Sequence, residues 1–186
     1  MQKSLSFPSV MKGTAAVTLA VTAVFALLNR LFPRDWLLSV AISTGTVFYH
    51  FAMRLAVGWI VPKTLSHPRH RNWFRQRSFE PKLYKILGVK HWKDHMPTYA
   101  PASFSLRENT LEQLVDNCCV SEAVHEVIIL LSFLPLIFAL WWGVFPVFFI
   151  TSVLAAAIDG CFAVIQRYNR PRLVRILAKK EASAHE

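Results

Sequence analysis

The sequence predicts an all-α polytopic membrane protein: four transmembrane helices, with an amphipathic interfacial region between the second and third. Three observations carry this. The 186 residues are 54% hydrophobic and 13% aromatic, with a mean hydropathy of +0.35, which is too apolar for an ordinary soluble domain. The apolar residues fall in runs long enough to cross a bilayer. The basic residues, which give a net charge of +10, lie between those runs. That placement points to lipid headgroups or an anionic substrate and away from nucleic acid.

The elements follow in chain order. The first span is predicted over 13–30. It is free of charge from Gly13 to Asn29, with Lys12 and Arg30 at its ends able to snorkel. No small-x-small cleavage site follows it, so it reads as an uncleaved helix. The second, 36–62, carries only His50 and Arg54 among its apolar residues. From Val127 to Gln166 the only charge is Asp159. As one helix that run would measure about 60 Å, roughly twice the hydrocarbon thickness, so it must turn. Trp141, Trp142, Gly143 and Pro146 supply the break. Two further spans result, 127–142 and 145–165. Residues 1–186 read as one membrane domain, without internal repeats or a low-complexity linker.

Four spans put both termini and the central region 63–126 on one side. The central region holds ten Lys/Arg and the tail 166–186 six, whereas the first connection has only Arg30 and Arg34. By the positive-inside rule the basic segments face the cytoplasm, in a cell inner membrane. Within the central region Trp73, Phe74, Leu83, Tyr84, Ile86, Leu87, Val89, Trp92 and Phe104 alternate with Arg and Lys. Such a pattern suits segments lying at the interface, apolar side down, with breaks at His67-Pro68 and Met96-Pro97. Cys118, Cys119 and Cys161 are odd in number and two are adjacent. They do not form a disulfide framework and read as reduced thiols, with Cys161 a packing residue.

Charges at membrane depth need partners, because one left unpaired costs on the order of 3 kcal/mol or more. Arg54 lies nine residues before Lys63, and Asp159 eight before Arg167. Similar depth and opposite sign predict a structural Arg54–Asp159 ion pair. His50, one turn from Arg54, reads as a polar packing residue.

Three polar clusters are expected at the cytoplasmic interface, where they can meet. In Ser121–Leu131, Glu122, His125 and Glu126 share one helical face at i, i+3 and i+4. A carboxylate one turn from an imidazole can fix its tautomer, which makes His125 a candidate general base and Glu122 its orienting acid. Acids also suit a helix start through the macrodipole, and Ser121 is available as a cap. The second cluster is His91, Trp92, Lys93, Asp94 and His95. His91 and Asp94 are further candidate catalytic groups, while Trp92, Lys93 and His95 are candidate substrate contacts, as is Glu126. The third is Gln166, Arg167, Tyr168, Asn169 and Arg170, followed by Arg172. Its arginines offer planar forks for phosphate or carboxylate. Gln, Tyr and Asn are not needed by a simple positive-inside stop signal. No bound metal is expected; the alternative metal set is His91, His95, Glu122 and His125, an N/O donor group.

With Trp92-Lys93-Asp94 and Pro97, Glu122-x-x-His125, and Gln166-Arg167-Tyr168-Asn169-Arg170 in this order, the chain resembles the glycosyl-4,4'-diaponeurosporenoate acyltransferase family over roughly Trp73 to Arg175. That resemblance implies a small multi-pass acyltransferase whose co-substrate is acyl-CoA or a similar thioester, with no bound cofactor. Its implied partners are membrane lipids and a glycosylated or lipid-linked acceptor, such as a glycosylated carotenoid. Two other classes compete: a metal-dependent membrane enzyme, and a non-enzymatic membrane partner whose charges only anchor the interface. Acceptor, acyl length and oligomeric state do not follow from the sequence.

Overall fold

The computed structural model describes residues 7–183, all of whose regular elements are α-helices and short 3-10 turns. Helix α1 is Phe7–Leu31, begun six residues before the expected span. Pro8 suits a first turn, and nothing between it and Gly13 breaks a helix. It stops where Phe32 precedes Pro33, a position that disfavours helical backbone. Helix α2, Asp35–Thr64, opens on Asp35 and closes on Lys63, the signs the helix dipole favours.

The third span departs from expectation at both ends. Helix α5 is Leu111–Leu131, beginning well before Val127. Its start is set by a capping box: Gln113 N–H donates to Thr110 Oγ1 at 3.2 Å, and Thr110 N–H donates to Gln113 Oε1 at 2.8 Å. Ser121 therefore lies inside the helix and caps nothing. Beyond Leu131 the chain tightens into 3-10 turns at Leu134–Phe138, where Pro135 removes a backbone donor. It resumes as the short α6, Ala139–Trp142. Gly143, with φ +66°, makes the expected turn, since that backbone disfavours side chains bearing Cβ.

Helix α7, Phe145–Ser183, does not end near 165 but carries the basic segment onward as helix. Arg, Leu, Ala and Lys are strong helix formers, and Pro171 interrupts only one backbone bond. Four stretches are long and apolar enough to cross a membrane: Phe7–Leu31, Asp35–Thr64, Leu111–Trp142 and Phe145–Ser183.

By its internal contacts the chain divides into two units. The first runs to Trp59 and includes Ile128–Ile158; the second takes Ile60–Val127 and the chain from Asp159. Within the first, Thr22 Oγ1 donates to Thr44 Oγ1 at 2.9 Å. A Cβ on Gly45 would stand 3.3 Å from the Thr22 methyl, so α1 and α2 approach closely through small residues. Arg54 bonds the carbonyls of His50 at 2.8 Å and Ala155 at 3.2 Å, which satisfies donors in apolar surroundings.

The second unit has its core at Phe74, Val115 and Cys119, with Leu65, Ala123 and Leu173 packed against it. Its loop region carries α3 (Glu80–Ile86) and α4 (Val89–Trp92), joined through Gly88 at φ +60°. The expected break at His67-Pro68 is a left-handed His67 followed by a 3-10 turn. Phe74, Tyr84 and Val89 are buried, whereas Trp73, Phe79, Leu83, Ile86 and Leu87 face outward.

Candidate active site

Helix α3 turns polar side chains inward. Glu80 and Tyr84, at i and i+4, share one buried face. Tyr84 donates its hydroxyl to Glu80 Oε2 at 2.8 Å. Burial, then the hydrogen bond to Glu80, push the Tyr84 hydroxyl pKa up. The neutral donor form is thereby held. Its ring meets Tyr168 of α7 edge to face, centroids 5.5 Å apart.

Arg167 of α7 ties this helix to α5. Its Nε donates to Glu80 Oε1 at 3.1 Å, its Nη1 to Glu126 Oε1 at 3.4 Å, and its Nη2 to the Trp73 carbonyl at 3.4 Å. Nη1 also stands 3.4 Å from Glu122 Oε1. Trp73 returns the contact, its indole N–H donating to Glu126 Oε2 at 2.7 Å. One α7 turn on, Arg170 pairs through Nη1 with Glu122 Oε2. Both are closed to water, Glu122 at 0% and Arg170 at 3% exposure. The Arg170 guanidinium also lies 5.4 Å from the Phe74 ring centre, a cation–π contact. Charges this deeply buried persist only in pairs, so each holds the other in place.

His125 points elsewhere. Its Nδ1 is 2.9 Å from Asp159 Oδ1, and its ring stacks on Phe162 at 5.0 Å with a 17° interplanar angle. An ionised carboxylate at Nδ1 selects the tautomer with the proton there and leaves Nε2 as the acceptor. The sequence pattern gave Glu122 the orienting role. The structure instead gives the place beside His125 to Asp159, and turns Glu122 to the arginines. Asp159 lies in the second unit and Arg54 in the first; the partners described above are those each has within its own unit.

The second cluster stands apart from this network. Lys93 Nζ bonds Asp94 Oδ1 at 2.6 Å, and the Trp92 indole N–H bonds the Leu87 carbonyl. His91 and His95 are exposed. Gln166 and Asn169 are half-buried. Among the described residues no three of His, Cys, Asp and Glu are grouped to hold a metal, so His91, His95, Glu122 and His125 do not form the alternative donor set. The cysteines are free thiols, Cys118 and Cys119 buried and Cys161 partly so.

Glu80, Tyr84 and Trp73 belong to none of the three polar clusters that the sequence displays. One signal was present: from Lys63 to Arg107, Glu80 and Asp94 are the only acids among many bases. An isolated acid in a basic segment has a cation to hold.

The fold and these contacts define a helical membrane protein with a buried carboxylate–guanidinium network and a His–Asp pair. Residues 70–179, more than half of the chain, match the model of the glycosyl-4,4'-diaponeurosporenoate acyltransferase family, and the chain belongs to that family. No curated protein and no solved structure matches it.

Proposed function

We propose that the protein transfers a fatty acyl group from a thioester donor to a hydroxyl of a glycosylated lipid or carotenoid. Family membership supports the class of reaction. The observation that carries the chemistry is the His125–Asp159 pair at 2.9 Å. His125 Nε2 takes the proton of the acceptor hydroxyl, and the oxygen attacks the acyl carbonyl carbon. The C–O bond forms, the C–S bond breaks, and the thiolate receives the proton back from the imidazolium. Asp159 holds the tautomer and stabilises the cation. A base so placed accounts for roughly 10²–10⁴ in rate.

Glu122, Glu126, Glu80, Arg167 and Arg170 act as a positioning frame. They fix α5 against α7 so that His125 meets a preorganised site. Trp92, Lys93, His95, Gln166, Tyr168 and Asn169 are proposed as substrate contacts, with His91 and Asp94 as auxiliary acid–base groups. Coenzyme A is the donor carrier in this reading. The basic central and C-terminal segments face the cytoplasm by the positive-inside rule.

The test compares lipid extracts by mass spectrometry from cells with the intact gene, with none, and with His125→Ala. A lipid gaining a fatty-acyl mass only with the intact protein establishes the reaction and names the acceptor. Identical extracts at equal protein levels would refute it.

A further inference from the structure

Beside the ion network the second unit holds a groove of about 320 Å³, lined by Trp73, Arg77, Phe79, Leu83, Tyr84 and Val164 with Glu80 and Arg167. Its chemistry is divided. Trp73 and Phe79 are each 60% exposed and Leu83 38%, so its wall is an apolar surface that the protein does not cover. On α3 Glu80 and Tyr84 face the interior, while Leu83 and Ile86 face out beside Lys82 and Lys85, with Phe79 exposed just before the helix. An outward apolar face beside a cavity calls for an apolar occupant.

The two guanidiniums of the groove differ. Arg167 already meets Glu80, Glu122 and Glu126. Together with Arg170 it faces three carboxylates, so the network has no positive charge to spare for an incoming anion. Arg77 is exposed, and among the described residues its side chain has no ion pair or hydrogen bond. It is the cation left over at the groove. The volume is at the small end of ligand pockets, which span roughly 300–1,000 Å³. That suits a single chain segment and not a whole diacyl lipid.

We propose that this groove binds a single hydrocarbon chain carrying an anionic head, the chain along Phe79, Leu83, Trp73 and Val164 and the head on Arg77. Calling that occupant the acyl donor rests on the acyl-transfer reading; the binding does not. The same chemistry is offered by an acyl thioester of coenzyme A, a free fatty acid, or one chain of an anionic phospholipid.

The experiment uses the full chain in phosphatidylcholine nanodiscs and chain-diazirine probes of palmitoyl-coenzyme A, palmitic acid and phosphatidylglycerol. Methyl palmitate bearing the same diazirine is the neutral control. After photolysis, labelled positions are mapped by peptide mass spectrometry. The expected result is label on Trp73–Tyr84 and Val164 from at least one anionic probe, and the arm that labels identifies the source. Arg77→Gln weakens that labelling about tenfold, the loss of one charge-assisted bond, while Arg77→Lys retains most of it. Leu83→Arg, at an already exposed position, blocks the chain and serves as a second variant should Arg77→Gln fold poorly. Equal labelling by the neutral ester, or none from any anionic probe, overturns the proposal. Labelling without any acylated lipid from the intact protein would sink the acyl-transfer reading and leave the groove; acylated lipid without labelling would sink the groove alone.

Discussion

Glu122 of α5 and Arg170 of α7 form an ion pair sealed from solvent, the carboxylate fully buried and the guanidinium 3% exposed. They stand 48 residues apart in the chain. Arg167 adds a second cation 3.4 Å from the other carboxylate oxygen. A pair so buried repays its desolvation only while both members are present. The network is therefore all-or-none, and it sits one helical turn from His125.

Breaking the pair from one side should unfold or loosen this unit. Glu122→Leu and Arg170→Leu are each expected to cost about 3–5 kcal/mol, because each takes from a buried charge its closest partner. The double variant should be more stable than either single, since apolar side chains replace both charges. Thermal unfolding in one detergent, followed by circular dichroism, checks the ordering. A double variant as unstable as the sum of the singles would show that the two residues do not act as a pair.

Tyr84 should resist ionisation. Its pKa is raised by burial and by Glu80, so the folded state holds its proton more tightly than the unfolded state does. The sign follows: this contribution is complete below the unfolded value near 10 and is lost as pH rises through the folded value. In a spectrophotometric titration Tyr84 should be among the last of the four tyrosines to ionise, together with unfolding. Tyr84→Phe should diminish that late component. The same substitution leaves Glu80 Oε2 without its donor, at a cost of about 1–3 kcal/mol at neutral pH.

Arg167→Lys should behave as a loss and not as a conservative change. The guanidinium reaches Glu80, Glu126 and the Trp73 carbonyl through three different nitrogens. An ammonium is a point charge without that fork. The expected outcome is an indole freed from its bond to Glu126, seen as a red-shifted Trp73 emission by difference against Trp73→Phe. Unchanged emission would mean that Arg167 does not order this corner.

Much of this architecture could be read in the chain, and the failures have physical causes. Apolar runs and the Gly143 turn were legible because hydrocarbon length and backbone freedom are local properties. The start of α5 was not, because its Thr110–Gln113 box lies far before the apolar run and the intervening turns are polar. Of the acids on those turns Glu122 is buried against Arg170, while Glu112 and Asp116 meet Arg69 nearer the surface. Glu122 and His125 do share a helical face, but adjacency on a face does not say which neighbouring helix supplies each partner. Depth along a helix does not say that Asp159 meets His125; rotation about the axis, which sequence does not encode, sets that contact. Glu80 was missed because its cation is 87 residues away.

Asp159 and His125 should fail together. Asp159→Asn keeps size and can still hydrogen-bond Nδ1, but it offers that nitrogen no negative charge and permits the wrong tautomer. Acyl transfer should fall about 10²–10⁴-fold, close to the loss from His125→Ala. The double variant should be little worse than either single, because residues acting as a unit are not additive. Protein level and unfolding temperature separate chemistry from folding, since Asp159 is buried. Phe162→Leu supplies a control: it removes the stacked ring at 5.0 Å but neither ionisable group, so a much smaller loss is expected. If Asp159→Asn retained full acyl transfer while His125→Ala lost it, the imidazole would be working without its carboxylate. If both retained it, the base would have to be sought elsewhere, with His91 and Asp94 the next residues to change.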